Sequence, residues 1–312
     1  MSDTVGVVGL GNMGGAIARS LLRGGIPILA WDTSSAALAA LVSDGAVAAD
    51  SLAGLGRRCQ VIMIVVVTDE QVRQVADELL TVAAAGSCLV VQSTVRPTTV
   101  IELAGLAAGN GIGVVDAGCG GGAELAEQGR LTLFIGGDDD QVKRCLPVFE
   151  AISEYRFHVG PPGAGEAAKL VNNLMSIATY AVNLEAMQLG AVYGLTEDTI
   201  TTFVTPRSSG NSRGLRTWGR HDRARRERRA ASVDWSERMG KDLHEAAIAA
   251  GLRGVTLPLT AAAAQMLPMK LRQRDREVDD RGPFRPGPRC SVCDYELAAP
   301  FRAAGLHPEC AA

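Results

Sequence analysis

The first apolar run of this chain ends in a glycine turn, Val5-Gly6-Val7-Val8-Gly9-Leu10-Gly11-Asn12-Met13-Gly14. A helical pattern follows it (Ala16, Ile17, Ser20, Leu21, Leu22), and a second apolar run, Ile28-Leu29-Ala30-Trp31, ends at Asp32. Few arrangements constrain a fold as tightly. Strand, G-x-G-x-x-G, helix and a later acid in that order form a dinucleotide-binding βαβ unit. Gly9 permits the tight turn, Gly11 lets backbone approach a pyrophosphate, and Gly14 lets helix and strand pack closely. Leu10, Asn12 and Met13 complete the turn, and the helix start offers free N–H groups to phosphate. An ordinary Gly-rich β–α turn would share the glycines but would not require Asp32.

Val/Ile-rich runs at 4–9, 26–31, 61–67, 87–92, 112–116 and 131–135, with a short one at 157–159, alternate with helical patterns such as 69–83 and 97–109. Continuous apolar strands signal a sheet covered on both faces. The expectation is an α/β fold: an N-terminal Rossmann-type doubly wound parallel sheet followed by an all-helical C-terminal domain. Gly160-Pro161-Pro162-Gly163 punctuates the change. We expect a dinucleotide-binding domain over 1–162. A helical substrate and dimerisation domain over 163–270 would open with a connecting helix roughly 40 Å long. A divergent tail would occupy 271–312, where periodicity fails.

With 312 residues the chain can hold two cores. A hydrophobic share of 47% and a net charge of −3 argue against a nucleic-acid or membrane surface as partner of the whole molecule. No basic leader precedes the first strand, and the longest apolar helix is broken by Lys169, Asn172, Asn173, Asn183 and Glu185. A cytoplasmic protein is therefore expected. Cys59, Cys88, Cys119 and Cys145 lie singly in apolar segments, as reduced thiols do.

Two further segments carry chemistry. In Gly163-Ala164-Gly165-Glu166-Ala167-Ala168-Lys169-Leu170-Val171-Asn172-Asn173, Lys169 and Asn173 are four apart and share a helix face. A lysine near a helix start gains nothing from the macrodipole, which suits an amine that trades a proton. Alone, the pair would read as ordinary polar helix residues. In Asp116-Ala117-Gly118-Cys119-Gly120-Gly121-Gly122, consecutive glycines at a strand's end could turn backbone N–H groups toward a carboxylate, or serve turn geometry only. Ser93-Thr94 closes another strand, where its hydroxyls would meet a ribose or cap the helix beginning at Pro97.

Taken together, the chain resembles the β-hydroxyacid dehydrogenase family, which includes 3-hydroxyisobutyrate dehydrogenase and tartronate semialdehyde reductase. The matching stretches are Gly9–Gly14, Ser93-Thr94, Asp116 to Gly137 with Gly129-Arg130-Leu131-Thr132, Gly163 to Asn173, Ser208-Ser209-Gly210 and Lys241-Asp242-Leu243. The resemblance implies an NAD(P)-dependent oxidoreductase that moves a hydride between nicotinamide and a small β-hydroxy acid or its semialdehyde. Lys169 would be the general acid/base. Asn173 and Gly120, Gly121 and Gly122 would hold the substrate carboxylate. Thr94 would contact the nicotinamide side, Val67 and Thr68 would line the cofactor path, and Lys241 would reach the cofactor region. Homodimers or homotetramers built through the helical domain would be expected. Asp32, which can accept from both ribose hydroxyls and would repel a 2′-phosphate, favours NAD over NADP.

The chain departs from the family in three places. Gly120 stands where a serine is usual. Arginines crowd 213–229. The tail contains Cys290-Ser291-Val292-Cys293 and then His307 and Cys310, a spacing that could bind Zn²⁺, although an isolated pair of pairs in such a tail more often binds nothing. A reading-frame change would also leave Arg/Pro/Cys enrichment. Two other readings fit parts of the sequence. An imine reductase shares the architecture but usually lacks the lysine. A non-catalytic nucleotide-fold protein would use the arginines and the tail for an acidic partner or a metal.

Overall fold

The structure, a computed structural model, describes residues 4–204, Asp222 and residues 235–280. Ser208-Ser209-Gly210, the arginine-rich stretch and Cys290, Cys293, His307 and Cys310 lie outside these. The chain divides into two compact units, Met1–Val171 and Asn172–Ala312.

The first unit is an eight-stranded sheet of order β3-β2-β1-β4-β5-β6-β7-β8. Its strands are β1 Val5–Val8, β2 Ile28–Trp31, β3 Val47–Ala48, β4 Val61–Ile64, β5 Cys88–Val91, β6 Gly113–Gly120, β7 Leu131–Gly136 and β8 Ser153–Gly160. Its helices are α1 Asn12–Arg23, α2 Ser35–Ser43, α3 Leu52–Arg58, α4 Asp69–Val82, α5 Pro97–Ala108, α6 Gly122–Glu127 and α7 Asp139–Ile152. Every residue of β1, β4 and β5 is buried, because alternate side chains feed two separate cores. Val7, Met63 and Val90 pack with Ile17, Leu21 and Phe149 on one face, while Val8, Ile62 and Leu89 pack with Leu55, Leu79 and Val100 on the other. The unbroken apolar runs of the sequence reflect this double burial.

The sheet is doubly wound and parallel, as expected, except at one pairing. β6 and β7 pair antiparallel, from Asp116↔Gly136 to Gly120↔Thr132. The link 121–130 between them is too short for a parallel crossover, which takes a dozen residues or more. The same pairing extends β6 through Gly120. The expected open glycine loop is therefore strand as far as Gly120, and Asp116 lies in mid-strand.

In the second unit the described helices are α8 Ala164–Val192, which starts in the first unit, α9 Glu197–Phe203, α10 Trp235–Gly251 and α11 Pro258–Asp280. Ile177, Ala181 and Leu184 of α8 pack with Leu243, Ala263, Leu267 and Leu271. α11 continues past residue 270, where periodicity was expected to fail. Its buried stripe is Leu271, Arg274, Asp275 and Val278, a helical spacing with charged residues in two of the four slots. Arg274 is tolerated there because its guanidinium is bidentate to Glu197 (2.8 and 2.9 Å) and to Asp222 (2.9 and 2.8 Å). These partners hold Arg274 above its usual range, against burial.

Candidate active site

The glycine turn has the three properties its spacing predicts. Gly9 has φ +90°, and a Cβ there would meet the Val65 carbonyl oxygen at 2.4 Å. A Cβ on Gly14 would lie 1.9 Å from the Gly9 carbonyl oxygen, whereas one on Gly11 would meet nothing within 4 Å. The turn is thus closed to side chains on its protein side and open over Gly11. α1 begins at Asn12 without a side-chain cap, and Gly11 and Asn12 are exposed. Uncapped N–H groups beside an open glycine fit a pyrophosphate.

Asp32 is tied to this turn. Its Oδ2 accepts the Leu10 N–H at 2.5 Å and its Oδ1 accepts the Ser34 N–H at 2.7 Å. Each oxygen keeps a further lone pair for a ribose hydroxyl.

Beyond β4, Val65 keeps a backbone bond to β1, and residues 66–68 then take side-chain partners. Val65 N–H reaches Val8 O, Val66 N–H donates to Ser93 Oγ at 2.9 Å, and Val67 N–H donates to Gln71 Oε1 at 2.9 Å. Thr68 caps α4 in a capping box with Gln71. Val67 is 65% exposed. Ser93 is buried and holds this neighbouring turn, so it neither caps α5 nor faces outward. Arg96 occupies the α5 N-cap.

The start of α8 is set by Asp116. Its fully buried carboxylate accepts the Gly163 N–H at 2.8 Å and the Glu166 N–H at 2.6 Å. Burial pushes this carboxyl above the usual range, and the two donors oppose that shift. One turn on, Lys169 is 9% exposed and its Nζ donates to the Cys119 carbonyl of β6 at 2.5 Å. Gly120 ends β6, and Gly121, at φ +126°, turns the chain into α6. Gly9–Gly14, Asp32, Val67, Thr68, Thr94, Gly120–Gly122 and Lys169 therefore all belong to the first unit.

Asn173 and Lys241 belong to the second. Asn173 is buried, and its Nδ2 donates at 2.7 Å to Asp242, the neighbour of Lys241. Lys241 borders a groove lined by His244, Ile248, Ala264 and Pro268. Sequence reasoning missed Asp116 and Glu166 as anchors and Asp69, which accepts the Arg96 N–H and the Thr99 hydroxyl. For Glu166 and Asp69 the available signal was an acid in a helix's first turn; Asp116, in mid-strand, offered none. Among the described residues no group of three or more His, Cys, Asp or Glu could hold a metal.

Residues 4–160 match the family described as the NAD-binding domain of 6-phosphogluconate dehydrogenase. Residues 163–286 match the family described as the NAD-binding domain of NADP-dependent 3-hydroxyisobutyrate dehydrogenase. The chain is 33% identical to 2-(hydroxymethyl)glutarate dehydrogenase of Eubacterium barkeri, over 85% of this chain and 88% of the relative. It is 31% identical to the NAD-dependent L-serine dehydrogenase of Pseudomonas aeruginosa, over 88% and 94% of the two chains. The crystal structure of 3-hydroxyisobutyrate dehydrogenase from Salmonella typhimurium superposes with a TM-score of 0.73 at 29% identity, covering 89% of this chain and 99% of that one. The glycine turn, the helical second unit and these matches agree: the chain belongs to the β-hydroxyacid dehydrogenase family and is an NAD(P)-dependent oxidoreductase.

Proposed function

We propose that this enzyme oxidises a small 3-hydroxy acid reversibly to its semialdehyde, with Lys169 as general acid/base. The observation that carries the reading is the placement of Lys169. Its amine is held on the Cys119 carbonyl at the end of β6, in the same unit as the open glycine turn. Ligands of open α/β sheets bind at the carboxyl ends of the strands.

When bound, the nicotinamide takes up or supplies the hydride. The neutral Lys169 amine removes the hydroxyl proton during oxidation, and its ammonium form returns a proton to the carbonyl oxygen during reduction. Asn173 would orient the substrate carboxylate, its own amide being fixed by Asp242. Gly120, Gly121 and Gly122 would meet the substrate by backbone alone, leaving extra room where the family's serine usually stands. Thr94, Val67, Thr68 and Lys241 would line the cofactor. Asp32 supports a preference for NAD, because its fixed carboxylate suits free ribose hydroxyls and opposes a 2′-phosphate.

A homo-oligomer fits the surface of α8. Val171, Met175, Val182 and Leu189 are each more than half exposed and fall on one heptad-like stripe. Reduced thiols fit a cytoplasmic setting: Cys59, Cys88, Cys119 and Cys145 are free, with Cys88 and Cys145 Sγ atoms 3.5 Å apart. Among the described residues no helix is long and apolar enough to cross a membrane.

The test is a panel of 3-hydroxy acids, including 3-hydroxyisobutyrate, glycerate and serine, read by absorbance of the reduced cofactor with NAD and with NADP. Turnover that Lys169→Ala removes supports the reading. Equal turnover by both proteins would sink the Lys169 assignment.

A further inference from the structure

Glu166 is fully buried in the first turn of α8. An ionised carboxylate is costly in such a place, and the favourable helix-start dipole offsets only part of the cost. Its contacts suggest what the position gains. Its Oε2 accepts the Val95 N–H at 3.1 Å, seventy-one residues away in sequence. Its own N–H donates to Asp116 Oδ2. One residue therefore joins β6, the start of α8 and the turn after β5.

That turn is held on both other sides. Ser93 Oγ engages Val66 N–H and the Ile64 carbonyl, and Arg96 N–H donates to Asp69 Oδ1 at 3.1 Å. Thr94 sits between Ser93 and the Val95 whose N–H Glu166 takes. On the helix side, Lys169 follows Glu166 by three residues and shares its face. Both pack over Gly118: a Cβ there would come 2.6 Å from Lys169 Cβ and 3.3 Å from Glu166 Oε1.

We infer that Glu166 is a positioning residue, which fixes the Lys169 amine relative to the cofactor-contacting turn at Thr94 through the strut Asp116–Glu166–Val95. The inference rests on the reading of Lys169 as acid/base. A carboxylate suits the task because either oxygen presents an acceptor to the Val95 N–H. The amide of glutamine, turned the right way, can do the same, while an apolar side chain cannot.

The experiment compares Glu166→Gln, Glu166→Ala and Glu166→Leu with wild type and with Lys169→Ala, in the full chain. It measures kcat, KM for the hydroxy acid, NAD affinity by fluorescence, Tm, and the isotope effect with acid deuterated at the carbinol carbon. The expected result for Glu166→Ala is a fall in kcat on the order of a hundredfold. KM and NAD affinity should stay close to wild type, and the isotope effect should rise as hydride transfer becomes limiting. Glu166→Leu fills the vacated volume and carries the same expectation should the alanine variant not fold. Glu166→Gln should recover most of kcat. Wild-type kcat in Glu166→Ala or Glu166→Leu would overturn the inference. So would a parallel loss of kcat, NAD affinity and Tm that glutamine does not rescue. If Lys169→Ala is inactive while Glu166→Leu is unimpaired, only the positioning role fails. If Lys169→Ala is fully active, the acid/base reading fails and takes this one with it.

Discussion

The carbonyl oxygen of Gly9 lies 1.9 Å from the point where a Cβ on Gly14 would stand. Both atoms belong to backbone that cannot yield cheaply, since Gly9 is pinned against the Val65 carbonyl. Gly11 differs, with open space in the same direction and an ordinary φ of −62°. The two glycines should therefore fail in different ways. Gly14→Ala is expected to lose stability by about 1–3 kcal/mol or more through overpacking. Gly11→Ala is expected to keep its Tm and weaken NAD binding roughly tenfold, which corresponds to 1.4 kcal/mol. Thermal unfolding and fluorescence titration with NADH separate the two cases.

Gly118 makes room for the Lys169 stem. Gly118→Ala should push that stem off its site and lower kcat on the order of a hundredfold while leaving NAD affinity unchanged. Steady-state kinetics beside equilibrium binding would check this. An equal loss in both would point to general disruption of β6 instead.

Arg274, whose side chain is 8% exposed, makes two bidentate contacts, a buried one with Asp222 and a half-exposed one with Glu197. Removing it leaves Asp222, itself 7% exposed at the side chain, without that counter-charge. Arg274→Met should cost about 3–5 kcal/mol. Urea unfolding followed by far-UV circular dichroism would measure it. A cost below about 1 kcal/mol, the range of exposed pairs, would mean that the charges are better solvated than their burial implies.

Burial pushes the Cys59 thiol up from 9.0 to about 11, with Arg58 partly opposing the shift. The folded protein therefore holds this proton more tightly than the unfolded chain. The resulting stability is fully present below pH 9 and is lost as pH rises toward 11. Cys59→Ala should show a shallower fall in unfolding free energy over that window, measured in urea at fixed steps of pH. At neutral pH, partly exposed Cys119 should alkylate first among the four described cysteines, whose other members are buried.

The first unit was largely legible because its strands are buried on both faces, and such strands announce themselves as apolar runs. Direction is a different matter: nothing in the hydropathy of Leu131–Gly136 says that it runs antiparallel to β6. The two-residue β3 is too short to leave a pattern. α11 stayed hidden beyond residue 270 because Arg274 and Asp275 occupy inward slots, and their partners Glu197 and Asp222 are remote in sequence. Lys169 was singled out only by the resemblance of Gly163 to Asn173 to the family; alone it reads as an ordinary polar helix residue. Glu166 was not singled out, because an acid in a helix's first turn looks like a solvated residue until its burial is known.

The grip of Asp116 on Gly163 and Glu166 bears on how this protein can be dissected. Severing the chain at the Gly160-Pro161-Pro162-Gly163 punctuation would strip a buried carboxyl of backbone donors that lie beyond the cut. A nucleotide-binding fragment meant to stand alone would have to retain the chain through Val171, ending inside a helix and not at the glycine–proline turn.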